Sequence, residues 1–486
     1  MSQVEDSTKD KTSSLDCNEL MKAGIQVPES KKFESLKGMV SDKTLNAIKN
    51  MGFEEMTEIQ YRTIVPLLAN HDLLGAAKTG SGKTLAFLIP AIEALRKRKF
   101  KPKDGAGVII ISPTRELALQ IFGVLRDLMK NHTQTFGLIM GGADRNQESY
   151  KLGKGVNILI ATPGRLLDHL QTTKAFKTTE LFMLIIDEAD RILQIGFETE
   201  MNEILGILPK RRQTLMFSAT ITENIQNLAN LCLNSKPIYI GVDDDKTAPT
   251  VDTLKQGFIL TPPEKKLSLL YTFIKKNTGK KIMVFFSSCN SVQFHSDLFN
   301  YIDMPVMEIH GKLKQSKRTS TFVKFTTSKS GVLFCTDVAA RGLDIPQVDW
   351  IVQYDPPDDP NEYIHRVGRT ARGNQNGQAV LVLLKEELSL VLFLKERNIP
   401  ITEFDFAKAK IFDIDDQIFE LIEKNYHLNT SAKLAFKSYL QSYSSHSNKD
   451  IFDVNRLDIG KVCRSFGFET PPGVNLGIIH LYRFFC

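Results

Sequence analysis

The chain has 486 residues, of which 42% are hydrophobic and 24% charged, with a formal charge of +6. That length suggests two or three ordinary domains, and the balance points to a soluble globular protein rather than a membrane-embedded one. The small positive excess permits a polyanionic partner without naming one.

Residues 1–30 are polar, rich in Ser and Thr and slightly acidic, and read as a disordered segment. Their start, MSQVEDSTKD, has no apolar targeting core. A first strand–helix series follows over 31–241. Its strand candidates are GVIIIS at 107–112, FGLIM at 136–140, NILIAT at 157–162, LFMLIID at 181–187 and QTLMFSAT at 213–220. These are continuous apolar runs, not alternating ones, which suits parallel strands covered on both faces by helices. The charged, proline-containing GVDDDKTAPT at 241–250 reads as a linker, drawn at 242–251.

A second series, over 252–405, has strand candidates KIMVFFS at 281–287, PVMEIHG at 305–311, GVLFCTD at 331–337, DWIVQYD at 349–355 and QAVLVLL at 378–384, but no glycine-rich loop. The apolar stretch LVLLKEELSLVLFL at 381–394 is interrupted by Lys385, Glu386 and Glu387 and is too short and charged to span a membrane. Residues 406–486 form a C-terminal extension with helical patterning in FDIDDQIFELIEK and SAKLAFKSYLQSY, the latter with Ser431 as candidate N-cap. The fold class is therefore α/β, two tandem parallel-sheet domains with a small helical extension. Cys17, Cys232, Cys289, Cys335, Cys463 and Cys486 show neither CxxC pairing nor zinc spacing, and read as reduced thiols of an intracellular protein.

The chemistry concentrates in a few short stretches. GAAKTGSGKT at 75–84 can wrap phosphate oxygens with the backbone of Thr79, Gly80, Ser81 and Gly82. Lys83 can reach the β- and γ-phosphates and Thr84 can place its hydroxyl on Mg²⁺. Ala77 stands where the usual pattern begins with glycine. The following LAFLIPAIEAL supplies a helix whose N-terminus favours anions. In LIIDEAD at 184–190, Asp187 can hold the hydrated Mg²⁺ and Glu188 can orient or deprotonate the attacking water. Ser218 and Thr220 of SAT can bond Asp190, although Ser and Thr at strand ends are also ordinary turn residues. RKRKFKPK at 96–103 is open among a solvated loop, an import signal and an RNA contact. HRVGRTARG at 365–373 is either a basic nucleic-acid loop or the second half of a nucleotide site.

Taken in order, Phe33, GFEEMTEIQ at 52–60, AAKTGSGKT, PTRELA at 113–118, GG at 141–142, TPGR at 162–165, DEAD at 187–190, SAT, TDVAARGLDIP at 336–346 and HRVGRTAR at 365–372 resemble the DEAD-box RNA helicase family. The resemblance covers about 33–373 and implies two RecA-like domains, ATP and Mg²⁺. It implies that Gln60 reads the adenine edge and Phe33 covers its face, with Met56-Thr57-Glu58 replacing the family's double proline. It assigns RNA contacts to Pro113, Thr114, Arg115, Gly141, Gly142, Thr162, Pro163, Gly164 and Arg165, and in the second domain to Gln315, Arg318, Thr336 and Asp337. Such hydroxyls, amides and guanidiniums suit phosphate and sugar more than bases. Arg369 and Arg372 would approach the ATP phosphates, Asp344 the ribose, and His365 would couple to Asp190, while Arg366 orders the closed interface. Ala371 stands where many relatives have glycine.

GLIMGGADRNQE, GVNILIATPGRLLDHLQ, DEADRILQIGFE and the segment 431–472 further resemble the eukaryotic nucleolar subgroup used in ribosome biogenesis. The implied function is an ATP-dependent RNA helicase that unwinds or remodels pre-ribosomal RNA, with pre-ribosomal particle proteins as partners, no membrane, and a nuclear, nucleolar location. An RNA-dependent ATPase acting as a clamp, and a DNA helicase or translocase, are the alternatives. The final GVNLGIIHLYRFFC departs from relatives by lacking a basic, glycine-rich tail, and the N-terminal extension is short.

Overall fold

The computed structural model describes residues 24, 27–77, 80–233, 237–242, 253–337, 348–371, 376–404 and 411–473. Thr79, Asp344 and Arg372 lie outside them, as do nearly all of 1–30, most of the linker and the apolar end from 474. The chain divides into two compact units, residues 1–246 and 247–486.

Unit 1 is built on seven strands: β1 (Leu73–Ala76), β2 (Val108–Ile111), β3 (Phe136–Ile139), β4 (Ile158–Ala161), β5 (Met183–Ile186), β6 (Gln213–Ser218) and β7 (Ile238–Gly241). All neighbours are parallel, in the order β3-β4-β2-β5-β6-β1-β7. Unit 2 repeats the plan with β8 (Leu254–Leu260), β9 (Lys281–Phe286), β10 (Met307–Ile309), β11 (Gly331–Thr336), β12 (Trp350–Gln353), β13 (Gly377–Leu383) and β14 (Thr402–Glu403), ordered β10-β11-β9-β12-β13-β8-β14. The α/β reading holds. Each sheet has two strands more than its five expected ones: β1 and β7, β8 and β14. The short runs LLGA and TE carry too few apolar residues to stand out alone.

The continuous apolar runs have the expected cause. In β2, Val108 and Ile110 join the core on one face of the sheet, while Ile109 and Ile111 join the core on the other. Side chains alternate along a strand, so burial on both faces demands an apolar residue at every position.

Unit 2 shares one core with the C-terminal extension. The helix Tyr426–Ser445 packs on the helix Cys289–Tyr301, and Phe466 reaches Phe294 with ring centroids 6.0 Å apart. The Ser431 cap is corrected. Asn425 caps this helix by accepting from the Leu428 amide at 3.1 Å, and Ser431 lies inside it, bonded to Asp297. The buried face begins at Leu428, ahead of the serine, so the helix starts where its packing starts. The stretch at 381–394 resolves into the end of β13, a 3-10 turn and the short helix Ser389–Glu396. Among the described residues no helix is long and apolar enough to cross a membrane.

Parallel strands present all their carboxyl ends along one edge. In unit 1 that edge carries the sequence motifs, and strand order sorts them. The neighbours β1, β6 and β5 lead into AAKTGSGKT, SAT and DEAD, while β2, β4 and β3 lead into PTRELA, TPGR and GG.

Candidate functional site

The phosphate loop closes on itself and on the preceding helix. Gly82 has φ of 92°, and a Cβ there would sit 2.6 Å from Gln60 Nε2 and 2.8 Å from Thr57 Oγ1. Only glycine fits both constraints. Gln60, 3% exposed, donates from Nε2 to the Gly82 carbonyl at 2.9 Å and accepts the Thr57 amide at 2.9 Å. A primary amide keeps one N–H and one lone pair beyond these two bonds. The Thr57 amide bonded to the Gln60 side chain is one half of a capping box on the helix Glu58–Leu68, so the residues in place of a double proline still fix this turn. Phe33 is 4% exposed within the core, and packing is the role visible for it.

Lys83 opens the helix Lys83–Lys97, and its buried Nζ donates to the Ala77 carbonyl at 2.9 Å. The Ala77 amide in turn donates to the Ser218 carbonyl at 3.0 Å, joining the loop to SAT. Ser81 Oγ is buried without a hydrogen-bond partner. Gly80 is exposed and Thr84 half-buried beside Lys83.

The acidic residues follow β5. Asp187 is 3% exposed, and its Oδ1 accepts the Glu188 amide at 2.9 Å. Burial pushes Asp187 up to about 6, opposed by the Lys83 ammonium and reinforced by Glu188 and Asp190. Glu188 holds a left-handed backbone, φ 48° and ψ 55°, a conformation that costs a non-glycine residue of order 1–3 kcal/mol. Asp190 accepts the Ala219 amide and the Thr220 hydroxyl, both at 3.2 Å. Ser218 differs from expectation: its hydroxyl donates to the Thr220 carbonyl at 2.7 Å.

A buried cation, an unsatisfied hydroxyl, glycine amides and a helix N-terminus fit a nucleotide triphosphate. Among the described residues no cluster of three or more His, Cys, Asp or Glu could hold a metal alone. Magnesium shared with phosphates needs only one or two carboxylates, so Asp187 with Thr84 fits it.

The second group of motifs meets on the neighbouring strands. Thr114 Oγ1 caps the helix Arg115–Leu128 by accepting from Leu117, and Pro113 is buried before it. A Cβ on Gly141 would lie 3.0 Å from the Arg115 guanidinium, and Gly142 takes φ 84°. Thr162 and Pro163 open the helix Pro163–Thr172, with Gly164 exposed behind them. Arg165 donates to Glu148 Oε2 at 2.6 Å.

Glu148 escapes the sequence reading. Its Oε1 accepts the Met140 amide at 3.0 Å, just before the glycine pair, and Oε2 also meets His169 Nε2 at 3.1 Å. One buried carboxylate thus ties GG to TPGR. The available signal was its spacing four residues before Leu152, the other buried position of that helix.

In unit 2 the expected contacts divide. Gln315 opens the helix Gln315–Thr327, half-buried, with Arg318 buried one turn on. Thr336 ends β11 with its hydroxyl buried and unpartnered. Arg366, expected to order an interface, is 3% exposed and engaged inside unit 2. It donates to both Asp337 oxygens at 2.6 Å and to the Asp355 carbonyl at 2.7 Å. Asp337 therefore meets a guanidinium on both oxygens, where an RNA contact was expected. Arg369 is buried and donates from Nε to the His365 carbonyl at 3.2 Å, with the His365 residue itself half-buried. Ala371 takes φ 55°, the left-handed region where glycine is at ease.

A DEAD/DEAH box helicase model matches residues 57–228, and a helicase conserved C-terminal domain model matches 265–374. A model of the SPB4-like ATP-dependent rRNA helicase C-terminal extension matches 425–474. The chain is 61% identical over 451 residues to the probable ATP-dependent RNA helicase pitchoune of Drosophila melanogaster, covering 93% of this chain and 66% of that one. It is 59% identical over 451 residues to the ATP-dependent RNA helicase DDX18 of Homo sapiens, covering 93% and 67%. It thus spans about two thirds of the length of both. Among solved structures, it is similar to Mss116p lacking its NTE and C-tail, bound to ssRNA and AMP-PNP, with TM-score 0.80, 30% identity and 91% and 92% of the two chains covered. It is also similar to S. cerevisiae Dbp5 bound to RNA and ADP BeF3, with TM-score 0.69, 25% identity and 78% and 98% covered.

Proposed function

Because the chain belongs to the DEAD-box family of ATP-dependent RNA helicases, we propose that it hydrolyses ATP to ADP and phosphate and uses the cycle to open or remodel pre-ribosomal RNA during ribosomal subunit assembly. The observation that carries the reading is the corner where β1, β6 and β5 end, which brings Lys83, Asp187, Glu188 and the Asp190–Thr220 bond to one edge.

Lys83 exchanges its bond to the Ala77 carbonyl for phosphate oxygens. Magnesium, when bound, neutralises charge on those oxygens. Asp187 and Thr84 are the residues to hold it. Glu188 accepts the proton of the attacking water, and its constrained backbone keeps the carboxylate aimed. The Gly80–Gly82 amides, with Thr79, cradle the phosphates, and the remaining valences of Gln60 meet the adenine edge. Arg369 and Arg372 offset charge during transfer, Asp344 meets the ribose, and His365 couples the two units.

RNA runs over Pro113, Thr114, Arg115, Gly141, Gly142, Thr162, Pro163, Gly164 and Arg165, and over Gln315, Arg318 and Thr336. Contacts to phosphate and 2′-hydroxyl suit a sequence-tolerant grip. ATP favours closure over bound RNA, a bent strand loses its partner, and product release reopens the pair. The match to an rRNA helicase extension supports pre-ribosomal RNA, assembly-particle proteins as partners and a nucleolar site of action.

The test is ATP hydrolysis with and without RNA, alongside separation of a short RNA duplex. Both are expected. RNA-stimulated hydrolysis without separation replaces the reading with an RNA clamp, and equal stimulation by DNA favours a translocase. Crosslinking in cells is expected to recover pre-ribosomal RNA, and its absence during active assembly removes that substrate.

A further inference from the structure

Of the four described cysteines, three are sealed in core. Burial holds Cys232 up at about 12 and Cys463 at about 11, and raises Cys335 as well. Cys289 differs in both place and company. It is half-buried and is the first residue of the helix Cys289–Tyr301, beside the N-cap Ser288, so the amide end of that helix faces it.

The turn after β10 wraps its sulfur. A Cβ on Gly311 would lie 3.8 Å from Sγ, and the His310 ring and the Gly311 and Lys312 backbone all bear on the thiol. Lys312 Nζ donates to Asn290 Oδ1 at 2.5 Å, fastening the turn to the same helix end. His310 is 2% exposed, yet neither ring nitrogen has a hydrogen bond of ordinary geometry. Its Nε2 stands 3.7 Å from Glu308 Oε2, and Glu308 Oε1 accepts from Lys317 at 2.6 Å. Asp297, on the cysteine's own helix, adds a second carboxylate nearby.

The charges follow this geometry. The His310 contact, with the Gly311 and Lys312 backbone, holds the Cys289 thiol below its ordinary range. Burial works to lower His310, but Cys289 and Glu308 outweigh it and raise the imidazole. A cysteine held low beside an imidazole held high gives up its proton more readily, and the thiolate is the reactive form.

We propose that Cys289 is a modification site for small oxidants and soft electrophiles, peroxides above all, with His310 as its proton partner. The thiolate attacks one peroxide oxygen and the O–O bond breaks. The leaving hydroxide takes the proton held on His310 and departs as water. Sulfur is oxidised by two electrons to sulfenic acid, and the peroxide is reduced by the same two.

The consequence falls on RNA. The same turn runs into the helix carrying Gln315 and Arg318. An oxygen added to the sulfur lies beside the turn that leads into that helix, so oxidation weakens RNA binding. This consequence rests on the proposed RNA contacts, whereas the reactivity does not.

The full chain is treated with iodoacetamide at neutral pH and each cysteine is followed by peptide mass spectrometry. Cys289 is expected to react at least about tenfold faster than Cys232, Cys335 and Cys463. His310→Gln is expected to slow Cys289 alone. Equal rates at the four thiols in the unmodified sequence overturn the proposal without need of a variant. An unchanged Cys289 rate in folded His310→Gln removes the proton partner. In a second arm, peroxide treatment is expected to lower affinity for single-stranded RNA about fivefold or more, and not at all in Cys289→Ser. A sulfenylated chain that binds RNA normally overturns the coupling. An untreated chain that binds no RNA overturns the proposed function and leaves the labelling result standing.

Discussion

The two units share one strand order, with β8 placed in its sheet as β1 is in the other, and β12 as β5. The matching corners hold opposite chemistry. In unit 1, β1 leads into the glycine loop, Lys83 bonds a carbonyl, and burial holds Asp187 up at about 6. In unit 2, β8 leads into Thr261-Pro262-Pro263, and Lys266 pairs with Asp355 at 2.9 Å, both buried. Burial works to raise Asp355, but Lys266 and the Ser287 bonds outweigh it and hold the carboxyl low. Lys266 also lies 4.4 Å from the Tyr354 ring and 5.3 Å from that of Tyr439, which belongs to the extension. One corner keeps its charges for a ligand; the other has settled them internally and serves as a joint for the extension. A site that binds phosphate and metal has to leave some charge uncompensated in the free protein, at a cost in stability.

The largest expected effect breaks the active corner. Glu188→Gln should lower ATP turnover about 10²–10⁴-fold with nucleotide binding retained, read by steady-state hydrolysis and nucleotide titration. Near-normal turnover would remove Glu188 as the base. The settled corner should fail differently. Lys266→Met leaves Asp355 buried without its cation, at a cost of about 3–5 kcal/mol in denaturant unfolding. Lys83→Ala loses a bond to a carbonyl, about 1 kcal/mol, and the ammonium that steadies Asp187, while weakening ATP engagement and turnover. Equal destabilisation by the two would dissolve the contrast.

The contrast also has a pH signature. The folded pKa of Asp187, about 6, lies above the unfolded carboxylate range near ~4. The nucleotide-free fold therefore binds the extra proton, and this term stabilises progressively as pH falls from about 6 to about 4. At neutral pH the ionised group costs about 1–3 kcal/mol, so Asp187→Asn should raise the thermal midpoint there while removing the proposed metal ligand. Asp355, depressed by its partner, has the opposite sign: its contribution is full above the unfolded pKa and is lost as pH falls through the folded one. A midpoint unchanged by Asp187→Asn at pH 7 would mean the carboxylate is already compensated.

The smallest effect concerns the RNA edge. Glu148→Gln should raise the RNA concentration for half-maximal ATPase stimulation about fivefold, near 1 kcal/mol, with nucleotide affinity unchanged. Equal loss of both would make Glu148 a general support of unit 1 rather than the tie between GG and TPGR.

Much of this was legible in the sequence because it is local. A phosphate loop needs its glycines, lysine and threonine in one turn, so GSGKT reads directly. Runs such as VIII and MLII announce strands covered on both faces. The four-residue β1 is too short to announce itself, and Ser431 has the chemistry of a cap, whereas packing at Leu428 sets the start.

By itself, the sequence determined the α/β class, the motif order and the groups proposed to meet phosphate, metal and RNA. Tertiary structure decided which of those groups share a corner. The chain visits β1, β2, β3, β4, β5 and β6 in turn, but the sheet sets β1 beside β6 and β5 beside β2, dividing the motifs into the group proposed for nucleotide and the group proposed for RNA. It also decided that Arg366 holds Asp337, that Lys266 holds Asp355 and that Glu148 joins two loops. Those pairings link residues 8 to 89 positions apart, and their strength comes from desolvation that only the packed core supplies.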